Sequence, residues 1–252
     1  MSRMMSLLLI VALSTWPVST SDVLWTWDET LDDVIKVPNP PSRTQVKRAV
    51  NVGHCASLCT SNVSCSSFFF LSKTGECRLN EFVFATRADG QSSPGARYFK
   101  AFSASCPSGD GYVWLRGPGI CIKVYLDSPN FKSAYKSCVD AGSRLAVLDK
   151  GDKLTVTAAY MADLASKITR AFIGGMRDGA ANGSRASWDK YRDPLYWLNG
   201  VQVAISGPDA YWDLPALNPS NDRNEEGCME IFSGLWNDMV CNSGHPYICE
   251  KI

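Results

Sequence analysis

Residues 233–250 read SGLWNDMVCNSGHPYICE. An amide and a carboxylate, Asn237 and Asp238, stand directly behind Trp236 and within a few residues of Cys241 and Cys249. The indole and the cysteines suit a stapled core strand, whereas adjacent oxygen donors suit the wall of an ion site. The two readings are compatible, because one strand can carry both.

Working outward, the chain has 252 residues with 25 basic and 25 acidic side chains. That length holds one large domain or two small ones with an adequate core. The balanced charge offers no bulk field for nucleic acid or an anionic membrane, so neither is expected as a partner. The N-terminal stretch MSRMMSLLLIVALSTWPVSTSD places Arg3 before an apolar run and then small polar residues. This layout predicts a signal peptide over residues 1–21, with cleavage near Thr20 or Ser21. The run is about half the ~20 apolar residues of a membrane anchor, and no later segment is long and apolar enough to span a bilayer. The expectation is a secreted, extracellular protein.

All ten cysteines follow that stretch, an even count that reads as disulfides in an oxidising compartment. Zinc needs close pairs of soft ligands with histidines in register, and the two histidines, His54 and His245, do not supply them. The same scarcity leaves little material for nucleophilic catalysis, and no carboxylate pair marks an acid and a base. No enzymatic activity is expected.

The cysteines form two even clusters, Cys55, Cys59, Cys65 and Cys77, then Cys106, Cys121, Cys138, Cys228, Cys241 and Cys249. Between them, TRADGQSSPGARYFKAFSAS passes from a Gly/Ser/Pro loop to an alternating, strand-like end at residues 97–102. We place one domain at 22–102, a linker at 103–105 and a second domain at 106–252. In the first cluster, Cys55 and Cys59 share one face of a helical turn, and SSFFF is strand-like before a turn at Lys73, Thr74 and Gly75. This resembles the PAN/apple module, an α+β fold in which a helix is stapled to a small sheet, over about residues 40–102. The resemblance implies bridges Cys55–Cys77 and Cys59–Cys65. Residues 22–41 match no pattern of that module.

In the second cluster, CPSGDGYVWLRGPGICIKVY alternates across two short strands that Cys106 and Cys121 can staple. NFKSAYKSCVDAGSRLAVL has helical spacing, with Phe131, Ala134, Tyr135 and Cys138 on one face and Gly142 as the stop. A second helical stretch covers about 153–166, followed by AFIGGMRDG, YWLNG and AYWDLPALNPSNDRNEEGCMEIF. The order of the helix, FIGG, YWLNG, a proline nine residues before a cysteine, CMEI, LWND and YICE resembles the C-type lectin-like domain. That fold implies α+β architecture: two helices, small antiparallel sheets, a long irregular loop and three disulfides, Cys106–Cys121, Cys138–Cys249 and Cys228–Cys241. Phe172, Ile173, Trp197, Trp212 and Trp236 are expected in the core.

Carried over residue by residue, the family's sugar and calcium site falls on Asn218, Ser220, Glu226, Asn237 and Asp238, with Asn218, Glu226, Asn237 and Asp238 as metal ligands. Asn218-Pro219-Ser220 departs from the family's usual Glu-Pro-Asn or Gln-Pro-Asp, leaving Glu226 and Asp238 as the carboxylates. The resemblance therefore implies one calcium ion, Ca2+, bound more weakly than is usual, and a cis peptide at Pro219. The family's neighbouring ion site is not expected, because Gly227 and Asn221 stand where aspartates are common. The loop NDRNEEG also reads as a merely solvated surface. Asn62 and Asn182 sit in glycosylation sequons.

The resemblance implies a secreted lectin binding glycans through its C-terminal domain, in host defence against microbial surfaces by family analogy, with a protein contact through the PAN-like domain. The alternative is a calcium-independent module that binds a protein through the same loop, since fold alone does not choose between them.

Overall fold

A computed structural model describes residues 23–38, 41–164, 167–180, 188–189 and 193–252. The signal-peptide expectation at 1–21 and the sequon at Asn182 lie outside the described residues. Two compact units divide the described residues, the first running to Gly119 and the second from Ile120, with Asp163 and Leu164 grouped with the first.

The first unit contains β1 (Leu24–Trp27), β2 (Val34–Ile35), β3 (Thr44–Arg48), α1 (Val52–Ser61), β4 (Ser67–Leu71), β5 (Glu76–Asn80), β6 (Gln91–Ser92), β7 (Ala96–Phe102) and β8 (Val113–Leu115). Five strands form an antiparallel sheet in the order β1-β7-β4-β5-β3, and β2 pairs β6 separately. The apolar run of β4 divides its side chains between two cores, as alternation requires. Phe68 and Phe70 face α1 with Trp25 and Leu79, while Phe69 faces Leu31, Val34, Phe84 and Tyr98. Asn51 starts α1 by accepting the His54 N–H at 2.8 Å. Cys55–Cys77 and Cys59–Cys65 tie the helix down, the pairing that the resemblance implied.

Within the stretch that matched no pattern of the module, Leu24–Trp27 form the edge strand β1, which buries Trp25. Arg116 also belongs to this unit: its guanidinium donates to the carbonyls of Cys59, Thr60, Asn62 and Cys65, the loose ends of α1. Residues 106–119 thus pack with the first unit, beyond the linker placed at 103–105. Asn62, half-buried at the end of α1, accepts the Ser64 N–H through its amide oxygen.

The second unit contains β9 (Ile120–Tyr125), α2 (Phe131–Asp140), β10 (Arg144–Leu145), α3 (Gly151–Asp163), β11 (Arg170–Met176), β12 (Tyr196–Trp197), β13 (Glu226–Phe232), β14 (Leu235–Val240) and β15 (Tyr247–Lys251). Its sheet runs β14-β13-β11-β15-β9, with β10 on β15 and β12 on β11. Asn130 caps α2 by accepting the Ser133 N–H, and Phe131, Ala134 and Cys138 form its buried face. Cys138–Cys249 joins α2 to β15, and Cys228–Cys241 joins β13 to the end of β14. Cys106 and Cys121 are disulfide-bonded as well, and no described cysteine is free.

Phe172, Ile173, Trp197, Trp212 and Trp236 are all buried. Trp236 lies at the centre of an aromatic cluster, edge-on to Trp197, Tyr211 and Trp212. The two glycines of FIGG are required by close approach: a Cβ on Gly174 would stand 2.5 Å from the Leu145 carbonyl oxygen, and one on Gly175 would stand 2.2 Å from the Met229 sulfur. Among the described residues no helix is long and apolar enough to cross a membrane.

Candidate functional site

Most of residues 233–250 are strand, in β14 and β15, with Trp236 and Asp238 buried. In the β13–β14 pair, Glu230 lies opposite Asn237 and Met229 opposite Asp238. Neighbouring residues on a strand point to opposite faces, so Asn237 and Asp238 serve two different surroundings. Asn237 donates from its amide nitrogen to Glu230 at 2.9 Å, and fully buried Glu230 is held by Arg170 at 2.7 Å. Asp238, also fully buried, turns toward the long loop.

That loop passes through short helical turns at Leu214–Ala216 and Asp222–Asn224, with a cis peptide between Asn218 and Pro219. Leu217, Asn221, Arg223 and Asn224 all have positive φ, a costly conformation for residues other than glycine. Two carboxylates hold the loop in place. Asp238 accepts the backbone N–H groups of Ser220 at 2.8 Å and Asn221 at 2.9 Å. One oxygen of Glu226 accepts the Ser220 hydroxyl and the Asp222 N–H, both at 2.6 Å. The Asn218 amide donates to the Asn237 side-chain oxygen. These contacts tie the five residues singled out in the sequence into two groups, Asn218 with Asn237 and Ser220 with Glu226 and Asp238. Burial pushes the carboxyl groups of Glu226 and Asp238 above the usual range, against the opposing pull of the hydrogen bonds they accept.

One participant escaped the sequence reading. Arg177, 1% exposed, donates from Nε to the Glu226 carbonyl at 3.0 Å and from Nη1 to the Asp193 carbonyl, and its Nη2 lies 3.8 Å from Asp238. Its only sequence signal is position, a cation directly following the apolar run of β11. Beside it, Asn221 donates to the Trp188 carbonyl, while its buried amide oxygen has no hydrogen-bond partner among the described residues.

The Trp188 ring covers Gly227, where a Cβ would stand 2.5–2.7 Å from ring carbons. Gly227→Ala is therefore expected to destabilise the unit by about 1–3 kcal/mol through overpacking. A urea titration against the parent chain checks this, and an unchanged midpoint would show that the ring moves freely.

Whether this donor set suits calcium depends on type and charge. Asn218, Glu226, Asn237 and Asp238 offer the amide and carboxylate oxygens that a hard cation takes, so they fit by type. Among the described residues no cluster of three or more His, Cys, Asp or Glu could hold a metal, so amide oxygens must complete any such set. With Arg177 beside Asp238, the two carboxylates are left with one net negative charge, less than the sequence count assumed.

Comparison with known proteins follows the same division. Residues 127–251 match the family model described as the lectin C-type domain, and residues 36–106 match that of the PAN domain. The chain carries a C-type lectin domain behind a PAN domain. A C-type lectin of Cerberus rynchops is 28% identical over 152 residues, covering 58% of this chain and 83% of the relative. Lectin subunit alpha of Sarcophaga peregrina is 28% identical over 125 residues, covering 48% of this chain and 40% of that protein. The solved mouse scavenger receptor C-type lectin carbohydrate-recognition domain shares 24% identity, with 52% of this chain and 87% of that one covered and a TM-score of 0.39. Glu226, Asn237 and Asp238 all lie within the matched lectin domain, as do Asn218 and Ser220.

Proposed function

We propose that the lectin domain binds glycans at the surface formed by Asn218, Ser220, Glu226, Asn237 and Asp238, and that the protein works outside the cell. The observation that carries this reading is a pair of contacts at one loop, Asn218 with Asn237 and Ser220 with Glu226, the latter on a segment anchored to Asp238; together they present amide, hydroxyl and carboxylate groups. Sugar hydroxyls both donate and accept; carboxylates only accept, and amides do both, so this mixture can satisfy a hydroxyl pair. Asn218, Glu226, Asn237 and Asp238 would hold one weakly bound calcium ion, which supplies an electrostatic anchor for sugar oxygens. Host defence against microbial glycans and a protein contact through the PAN domain belong to the same proposal. A glycan array read with calcium and again with chelator tests it, and the absence of any glycan signal in both would overturn it.

A second reading, ligand binding without calcium, is favoured by one observation: Arg177 already supplies positive charge beside Asp238. The double substitution Asn218→Glu with Ser220→Asn separates the two readings. It adds a third carboxylate and an amide, so calcium affinity is expected to rise about tenfold or more, with mannose binding appearing alongside. Calorimetric titration measures the affinity, and a double variant that gains none argues for the calcium-independent reading.

A further inference from the structure

We propose that Arg177 is a built-in cation that orders the 217–226 loop without a metal ion and, by sitting beside Asp238, lowers the calcium affinity of the site. The calcium half rests on the calcium reading above; the loop half does not.

The argument starts from what the loop needs. Leu217, Asn221, Arg223 and Asn224 adopt positive φ, so the segment does not hold this shape by local preference. Its backbone is secured by N–H groups donated to Asp238 and Glu226. Gathering two carboxylates under one loop sets like charges against each other, and both are partly or fully withdrawn from water. A cation must offset that repulsion if the loop is to stay closed.

Arg177 has the right position and chemistry. Its guanidinium is 1% exposed and bridges the Glu226 carbonyl at the start of β13 and the Asp193 carbonyl, with Asp238 of β14 at 3.8 Å. The planar fork presents several donors at once and keeps its charge throughout the physiological pH range. A covalently attached cation cannot be diluted or chelated. Around it the packing is closed by Trp188 over Gly227 and by Asn221, whose amide nitrogen bonds the Trp188 carbonyl. The arrangement performs the charge compensation that a bound divalent ion would otherwise provide, and it leaves less negative charge for one.

Hydrogen exchange of the Ser220, Asn221 and Asp222 amides, measured on the full chain with calcium and with chelator, tests the loop half. Wild type is expected to protect these amides equally in both. Arg177→Met is expected to exchange them at least tenfold faster in chelator and to recover protection with calcium. Calorimetry tests the other half: Arg177→Met should bind calcium at least tenfold more tightly than wild type, an effect that a merely structural role would not produce. Wild-type amides that lose protection in chelator would overturn the proposal, as would an Arg177→Met variant matching wild type in both measurements. If Arg177→Met does not fold, Arg177→Lys takes its place. Lysine keeps the charge, so protection of these amides in chelator supports the proposal and its loss there overturns it. A wild type that binds no calcium at all defeats the calcium reading while leaving the loop result standing.

Discussion

Asp238→Ala is expected to abolish calcium and glycan binding together and to lower the stability of the lectin domain by about 3 kcal/mol. The stability loss follows from burial: the carboxylate is fully enclosed, accepts two backbone N–H groups and faces Arg177. Removing one member of a buried charge pair leaves the other uncompensated, at a cost of about 3–5 kcal/mol, and here the 3.8 Å separation sets the lower end. Urea titration and calorimetry check the two parts. Because loss of binding in this variant could follow from loss of structure, Glu226→Gln is its companion. Gln keeps the shape of a half-buried side chain and removes its charge, so calcium affinity should fall while the unfolding midpoint stays nearly constant. Unchanged calcium binding in both variants would remove these carboxylates from the site.

Trp236→Ala should be at least as damaging, with an expected loss of about 3–5 kcal/mol. The indole is 1% exposed, lies edge-on to Trp197, Tyr211 and Trp212 with ring centroids 5.1–5.7 Å away, and donates to the Leu148 carbonyl at 3.1 Å. Alanine would leave a large cavity, forfeit three aromatic contacts and orphan a buried carbonyl. Trp236→Phe retains much of the volume and should cost less. Near-UV circular dichroism during urea unfolding distinguishes them, and equal midpoints for Ala and wild type would contradict the central place given to this ring.

Much of this was legible in the sequence because the informative residues are paired or periodic. The family resemblance implied the bridges Cys55–Cys77, Cys59–Cys65, Cys138–Cys249 and Cys228–Cys241, and the structure contains all four. Helical spacing placed α2 within a residue or two, and α3 lies slightly earlier than its expected 153–166, at Gly151–Asp163. What the sequence concealed depends on distant partners. β1 is only four residues long and becomes a strand by pairing with β7 some seventy residues later. Arg177 resembles any surface cation until its guanidinium is seen enclosed beside carbonyls and carboxylates contributed by three other segments. Counting charges along residues 218–238 leaves out Arg177, because that guanidinium reaches Asp238 from outside the stretch.

The bridge Cys138–Cys249 has a mechanical meaning. It spans 111 residues and lies two residues before the end of the last strand, so tension applied through the chain ends crosses from α2 to β15 through sulfur and bypasses everything between. The aromatic cluster, the anchored loop and the proposed sugar surface all fall inside that shunt. Pulling on an intact molecule would leave roughly 370 Å of potential chain extension unreleased, at about 3.3–3.6 Å per residue, and the ligand surface would carry no load until the bond is reduced.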